Sequence, residues 1–305
     1  MYHVETGMRN FAHNLEPKGL LLVAVIALFG LNIFLLQLLQ DKHSHVLKVV
    51  FLDVGQGDAI LVETPNKHRI LIDAGPSGPK LMRALSKELY FWQKDFDMAL
   101  ATHADKDHVA GFLDFLKVYK VDFVRTPYAL DKKVAEFTDS LLLSLAKAKQ
   151  KGAQELSLHR GSVIDFDDGV ELIVYAPPES VPFHDTNSSS LTLKLVYGKT
   201  SFLLTGDLPD GMEKVLAMYD ADKLRANVLK LGHHGSRNSS SLEFLATVRP
   251  EIVVVSAGLN NRYGHPHKKT MERVKSIGAR VFRTDQQGNL RFISDGEQIV
   301  VTTEK

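Results

Sequence analysis

The chain has 305 residues, 24% of them charged and 44% apolar, with a formal net charge of +1. This balance excludes a disordered or fibrous protein and supplies no global basic field for nucleic acid, so any such contact must come from a local patch. The absence of cysteine excludes disulfides, iron–sulfur clusters and thiolate zinc sites, leaving histidine, carboxylate and amide groups to hold any metal.

A short tail, residues 1–18, precedes an apolar run from Gly19 to Leu39 that is interrupted only by Asn32 and Gln37. As a helix rising about 1.5 Å per residue it covers roughly 30 Å, one hydrocarbon core. Gln40-Asp41-Lys42-His43 offers no small-residue cleavage site, so residues 19–40 are expected to form an uncleaved single-pass membrane anchor. Arg9 and Lys18 before the run, against Lys42 and Lys48 after it, scarcely discriminate orientation. The reading taken is a cytoplasmic N-terminus with the remaining domain, 46–305, outside.

That domain opens with β-branched and apolar runs, Leu47–Val54, Ala59–Glu63 and Arg69–Ala74, separated by turn residues. Helical and extended patterns then alternate: helix Lys80–Trp92, strand Asp97–Thr102, helix Val109–Tyr119, strand Val121–Arg125 and helix Lys132–Lys149. The second half repeats the plan with strands Glu171–Tyr175, Ser190–Val196 and Thr200–Thr205, helix Gly211–Tyr219, strand Asn227–Leu231, helix Ser240–Thr247, strand Glu251–Ser256 and helix Lys268–Ile277. Strands Arg280–Thr284, Leu290–Ile293 and Gln298–Thr302 close it. Two strand-rich halves, each carrying helices, predict an α/β sandwich of two sheets with helices outside, and the notable polar clusters fall at strand ends along one edge.

Thr102-His103-Ala104-Asp105-Lys106-Asp107-His108 leaves a strand and enters a helix. His103 and Asp105 share one direction in an extended turn while Asp107 and His108 diverge, so one loop can serve two cations; the plainer alternative is a solvated turn with Asp107 as N-cap. Phe202–Asp207 is an apolar strand ending on a carboxylate, which either bridges two metals or caps the next helix. His233 and His234 follow another strand between two glycines, an arrangement seldom used for core packing. Asn261, Arg262 and His265 lie in the loop after Glu251–Ser256, and His267 there reads as a surface or N-cap group. Asp53, Asp58 and Asp73 sit in or beside glycine turns, with Asp73 expected to orient the histidine-bearing loop as an acceptor behind the ligands.

Together the segments DVGQGDA, LIDAG, THADKDHVAG, NSSSLTLKL, FLLTGD, LGHHGS and YGHP, in that order from about Val46 onward, resemble the metallo-β-lactamase superfamily, and within it the hydrolase domain of the ComEC family of competence proteins. The resemblance implies a four-layer αβ/βα sandwich with a dinuclear site. It makes His103 and Asp105 ligands of one metal, Asp107 and His108 ligands of the other, Asp207 the bridge, and His234 or else His233 the completing ligand. The further histidine usual in the superfamily is replaced by Asn187-Ser188, so Asn187 or the nearby His184 is left to complete the first site. Asp107, His234 and His265 are the expected catalytic groups, with Asn261, Arg262 and Arg237 holding phosphates.

A pair of divalent cations can activate water and stabilise both oxygens of an in-line displacement at phosphorus. Asp105 in place of an imidazole hardens the first site, favouring Mn²⁺, with Zn²⁺ as the alternative. The expected function is a membrane-anchored nuclease acting on DNA, partnered with a DNA-uptake channel, since one predicted span cannot form the multi-helix channel of that family. A hydrolase of a small ester, lactone or thioester, and a catalytically silent assembly module for DNA uptake, are the competing readings.

Overall fold

The computed structural model describes residues 17–42, 45–127, 135–179 and 185–305, so His184 lies outside the described residues. The chain divides into two compact units, Met1–His45 and Val46–Lys305. The first contains helix α1 (Pro17–Lys42), whose side chains are described over 19–35. Successive residues Leu20, Leu21, Leu22 and Val23 are all exposed, as are Phe29 and Phe34, so over residues 19–35 apolar surface runs around the helix. Among the described residues no helix is long and apolar enough to cross a membrane.

The second unit is the expected sandwich. One sheet, among the described residues, runs β15 (Ile299–Thr303), β14 (Leu290–Ser294), β1 (Leu47–Phe51), β2 (Ile60–Glu63), β3 (Arg69–Ile72), β4 (Asp95–Leu100), β5 (Lys120–Arg125) and β6 (Gln154–Glu155). The other runs β13 (Arg280–Arg283), β12 (Ile252–Val255), β11 (Val228–Lys230), β10 (Thr200–Leu204), β9 (Thr192–Tyr197), β8 (Val170–Ala176) and β7 (Val163–Asp165). Strands such as β10 and β12 read as apolar runs because both faces are buried. In β10, Phe202 and Leu204 point into the core between the sheets, while Leu203 packs on the outer helices; in β12, Ile252 and Val254 face inward and Val253 and Val255 outward. Helices α2 (Gly78–Leu85), α4 (Phe112–Val118) and α5 (Ala135–Gln150) cover the first sheet, and α6 (Asp210–Asp220), α7 (Leu242–Val248) and α8 (Lys268–Ser276) the second, giving four layers.

Several boundaries differ from the sequence reading. The pattern Val109–Tyr119 is two helices, α3 (Lys106–Val109) and α4, because the Gly111 amide leaves the helical ladder to bond the Gly75 carbonyl at 3.1 Å, an approach so close that a Cβ would collide with the Ala74 carbonyl. Helix Lys80–Trp92 ends early, at Leu85, and leaves Tyr90, Phe91 and Trp92 exposed in a turn. The short strands β6 and β7 and the one-turn helix α9 (Thr284–Gln287) carry no pattern long enough to read.

Parallel pairing fixes where chemistry can occur. Strands β3 and β4 are parallel, and so are β10, β11 and β12, so the carboxyl ends of each group share an edge. Asp73, Thr102–His108, Asp207, His233–His234 and Ser256 all follow those ends, which is where open α/β sheets gather ligands.

Candidate metal centre

Asp207 is the centre of the site, 2% exposed, just beyond β10. Its Oδ1 lies 3.2 Å from His108 Nε2, and its Oδ2 lies 3.5 Å from His234 Nε2, 3.7 Å from His233 Nε2 and 3.9 Å from His103 Nε2. Asp105 Oδ2 is 3.8 Å from His103 Nε2, and Asp107 Oδ2 is 3.5 Å from His234 Nε2. Two overlapping sets result, His103–Asp105–Asp207–His233 and Asp107–His108–Asp207–His234. His233 and His234 both present Nε2 to the central carboxylate.

Each imidazole is aimed by a partner on its other nitrogen. His108 Nδ1 is 2.7 Å from Asp73 Oδ2, and Asp73 also accepts from the Thr102 amide and hydroxyl, both at 2.7 Å. His234 Nδ1 donates to the Ser256 carbonyl at 2.9 Å, and His103 Nδ1 is 2.9 Å from the Thr102 hydroxyl. The outward Nε2 atoms of His103, His108 and His234, and Asp207 Oδ1, are buried without a partner of hydrogen-bond geometry. Buried nitrogens and carboxylate oxygens left open in this way are costly unless a cation fills the gap, so these residues fit a divalent metal. Burial, reinforced by the charge of His108, holds His103 well below the usual imidazole range and keeps its lone pair free. Burial would raise Asp207, but His234, His108 and His103 outweigh it and hold the carboxyl far below its usual range. Burial likewise opposes charge on His234, yet Asp207 and Asp58 push it up to about 9.

Asp58, His108, Asp207 and His234 also offer ligand atoms within 4.8 Å of one another. Asp58 pairs with the buried Lys230 ammonium and sits 3.4 Å from His234 Nδ1, on the side away from that ring's Nε2. Gly57, at φ 133°, lets this loop reach the Asp107 carbonyl, which accepts from the Asp58 amide at 3.2 Å. Asp53 does not join the site. It is bonded by the Gly55 amide within its own turn and stands 4.0 Å from Lys305, because the chain reverses before reaching the metal edge.

The strand-end histidines occupy unusual backbone. His233 and His234 have φ 48° and 54°, left-handed geometry that costs a non-glycine residue about 1 kcal/mol or more. Neighbours hold it: His233 N donates to the Gly206 carbonyl, Ser239 Oγ to the Gly232 carbonyl, and the Ser240 and Ser241 amides to the buried Glu213 carboxylate.

The remaining expected residues divide. The Asn187 amide lies 3.4 Å from His233 Nδ1, so Asn187 backs a histidine and does not face the metals directly through that group. The His265 ring lies 5.4 Å from that of His233, and burial together with His234 and His233 pushes it down to about 4. Arg262 lines a cleft of about 440 Å³ with Asp107, Lys106, Gln56 and Tyr263. Asn261 borders the same cleft, but its amide is spent on the Gly258 and His265 carbonyls and its oxygen on the Tyr263 and His265 amides, so it shapes the loop and is not free to hold phosphate. Arg237 lines a separate depression and donates to His267 Nε2, while His267 Nδ1 caps α8 as expected. Sequence reasoning missed Lys230, Glu213, Thr186, whose hydroxyl donates to Asp105 at 2.5 Å, and Arg125, whose guanidinium braces the Ala101 and Thr102 carbonyls. A lysine inside the apolar run Val228–Leu231 was the one visible signal.

Residues 52–258 match the family model of the metallo-β-lactamase superfamily, and the chain belongs to that superfamily. It resembles the competence proteins within it. It is 33% identical over 264 residues to ComE operon protein 3 of Bacillus subtilis, covering 80% of this chain and 33% of that one, and 30% identical over 280 residues to competence protein ComA of Neisseria gonorrhoeae, covering 91% and 36%. The chain thus spans about a third of the length of these relatives. Among solved structures, zinc-bound PqqB from Methylobacterium extorquens shares the fold at 12% identity and a TM-score of 0.50, over 75% of this chain and 85% of that one.

Proposed function

We propose that this chain is a metal-dependent phosphodiesterase that cuts DNA outside the membrane to which residues 19–40 anchor it, working beside a DNA-uptake channel. The observation that carries the reading is the convergence of three partnerless imidazole nitrogens and an open Asp207 oxygen on one point, with Asp105 replacing an imidazole. The names of the competence relatives support DNA as substrate, and the exposed apolar surface around α1 supports an anchor.

His103, Asp105, Asp107, His108, Asp207, His233 and His234 would hold two divalent ions, with Mn²⁺ favoured because carboxylates make the His103 side of the site harder. When bound, such ions stabilise negative charge on a phosphoryl group and acidify water. Asp73, Ser256 and Thr102 keep the imidazole rings aimed, and Arg262 offers a guanidinium to a phosphate entering beside Asp107. His265, held neutral by burial and then by His234 and His233, is a proton acceptor and not a donor to a leaving oxygen.

The test is cleavage of single- and double-stranded DNA by the purified chain with Mn²⁺. Cutting that vanishes in Asp207→Ala supports the reading; no cutting of either substrate, or equal cutting by the variant, sinks it. A net charge of +1 favours the small-ester alternative, and lactone turnover insensitive to salt would select it.

A further inference from the structure

The loop Asn260–His267 separates two depressions. On one side lies the 440 Å³ cleft, with Asp107 in its wall, the exposed Tyr263 ring, Arg262 and Lys106. Arg262 stands 4.8 Å from the centre of the Tyr263 ring and donates to its hydroxyl at 2.7 Å, and the ring stacks on His265 at 5.8 Å. On the other side a depression of about 530 Å³ is lined by Arg237, Lys269, Arg273, Glu272 and Ser276. Arg273 is fixed by the Arg237, Ser239 and Ser240 carbonyls, and Arg237 by His267 at 3.0 Å, so two guanidinium charges are held in place there against one carboxylate. The loop between them carries His265, whose ring faces His233, and the His267 amide bonds the Gly235 carbonyl at 2.9 Å. Cationic side chains therefore line both depressions, the first beside Asp107 and the second joined through Arg237 and His267 to the loop that carries His265.

We infer that the two depressions hold the backbone of one polynucleotide strand on either side of the phosphate to be cut, Lys106, Arg262 and Tyr263 on one flank, Arg237 and Lys269 on the other. This rests on the phosphodiesterase reading and names its substrate as a polymer longer than a dinucleotide. The reason is geometric: a dinucleotide or small ester fills one depression and leaves the second unused. An exposed aromatic ring beside fixed cations is the arrangement that accepts an unpaired base with its phosphate, so a single strand is the form bound.

The test is anisotropy of labelled oligothymidylates of two to sixteen nucleotides with the full chain in EDTA, which prevents cleavage. Affinity should rise at least tenfold between the dimer and the sixteen-mer. Lys269→Glu should flatten that rise and reduce the salt slope by roughly 0.7 for each phosphate the variant no longer neutralises. Lys199→Glu is the control, equal in charge change but at the opposite end of β10, paired with Glu297; it should retain the rise. Equal affinity for dimer and sixteen-mer, or identical effects of the two variants, overturns the inference. If the metal-loaded chain hydrolyses the dimer with the same kcat/KM as the sixteen-mer, the phosphodiesterase reading stands while the two-sided track falls.

Discussion

Lys230 shows how much of this site depends on a single buried charge. Its side chain is fully buried, its ammonium pairs with Asp58, donates to the Gly206 carbonyl at 2.8 Å and stands 3.8 Å from Asp207. Replacing it by methionine preserves volume but leaves two buried carboxylates without their cation, and breaking a buried pair in this way costs about 3–5 kcal/mol. Urea unfolding of Lys230→Met without metal should show that loss, and added Mn²⁺ should restore part of it, because a bound cation replaces some of the missing charge. A variant as stable as the parent would mean that the carboxylates are compensated elsewhere. Asp105 sets a second expectation. Its carboxyl is raised by burial against the Thr186 hydrogen bond, and in the proposed site it offers an oxygen beside His103 in place of an imidazole. Asp105→His should move metal preference toward Zn²⁺ in competition binding; unchanged preference would show that Asp207 and Asp107 already set the hardness of the site. The cluster of histidines and aspartates that the fold gathers was legible because such residues at strand ends have few structural uses. Lys230 and Glu213 were not, because nothing local to either residue reveals the distant carboxylate or amide that it meets.

At the scale of elements, the loop Gly232–Ser241 is held from behind by α6. Glu213 accepts the Ser240 and Ser241 amides at the start of α7, and burial pushes its carboxyl up from 4.5 to about 7 despite those bonds. A carboxyl raised on folding holds its proton more tightly in the native state than in the unfolded chain. Its contribution is therefore fully present below about pH 4.5 and is lost as pH rises through about 7, roughly 3 kcal/mol in all. Glu213→Gln removes the titration, so the stability difference between parent and variant should shift by about that amount between pH 4 and 8. A difference that stays constant over the range would mean that Glu213 is ionised throughout. Elements with long two-sided apolar runs, such as β10 and β12, were readable from sequence because burial on both faces leaves no polar position to confuse the pattern. The break at Gly111 and the early end of α2 were not, since each is decided by packing against Ala74 or by a turn whose aromatics point outward.

Across the whole second unit, the sandwich gathers Asp58, Asp73, Asp105, Asp107 and Asp207 at one edge, opposed by Lys230 and a cluster of imidazoles. Despite burial, those carboxylates hold His108 well above the usual imidazole range and His234 up to about 9. In the absence of metal, protons on those imidazoles do the neutralising, beside the buried Lys230 ammonium. Metal binding therefore releases protons and relieves buried polar groups, and the folded state alone brings the ligands together, so binding energy adds directly to stability. At a thousandfold excess over Kd, one ion contributes about 4 kcal/mol. For a domain of this size that raises Tm by roughly 10 °C. Differential scanning calorimetry of the chain stripped with EDTA and then titrated with Mn²⁺ should show this rise, larger at pH 8 than at pH 6 because fewer protons compete for the imidazoles. Asp207→Ala should lose most of it, since the carboxylate facing all four histidines is gone. A Tm that ignores Mn²⁺ at both pH values would mean that the edge balances its own charge through Lys230 and the imidazolium groups, and that the open nitrogens await no metal.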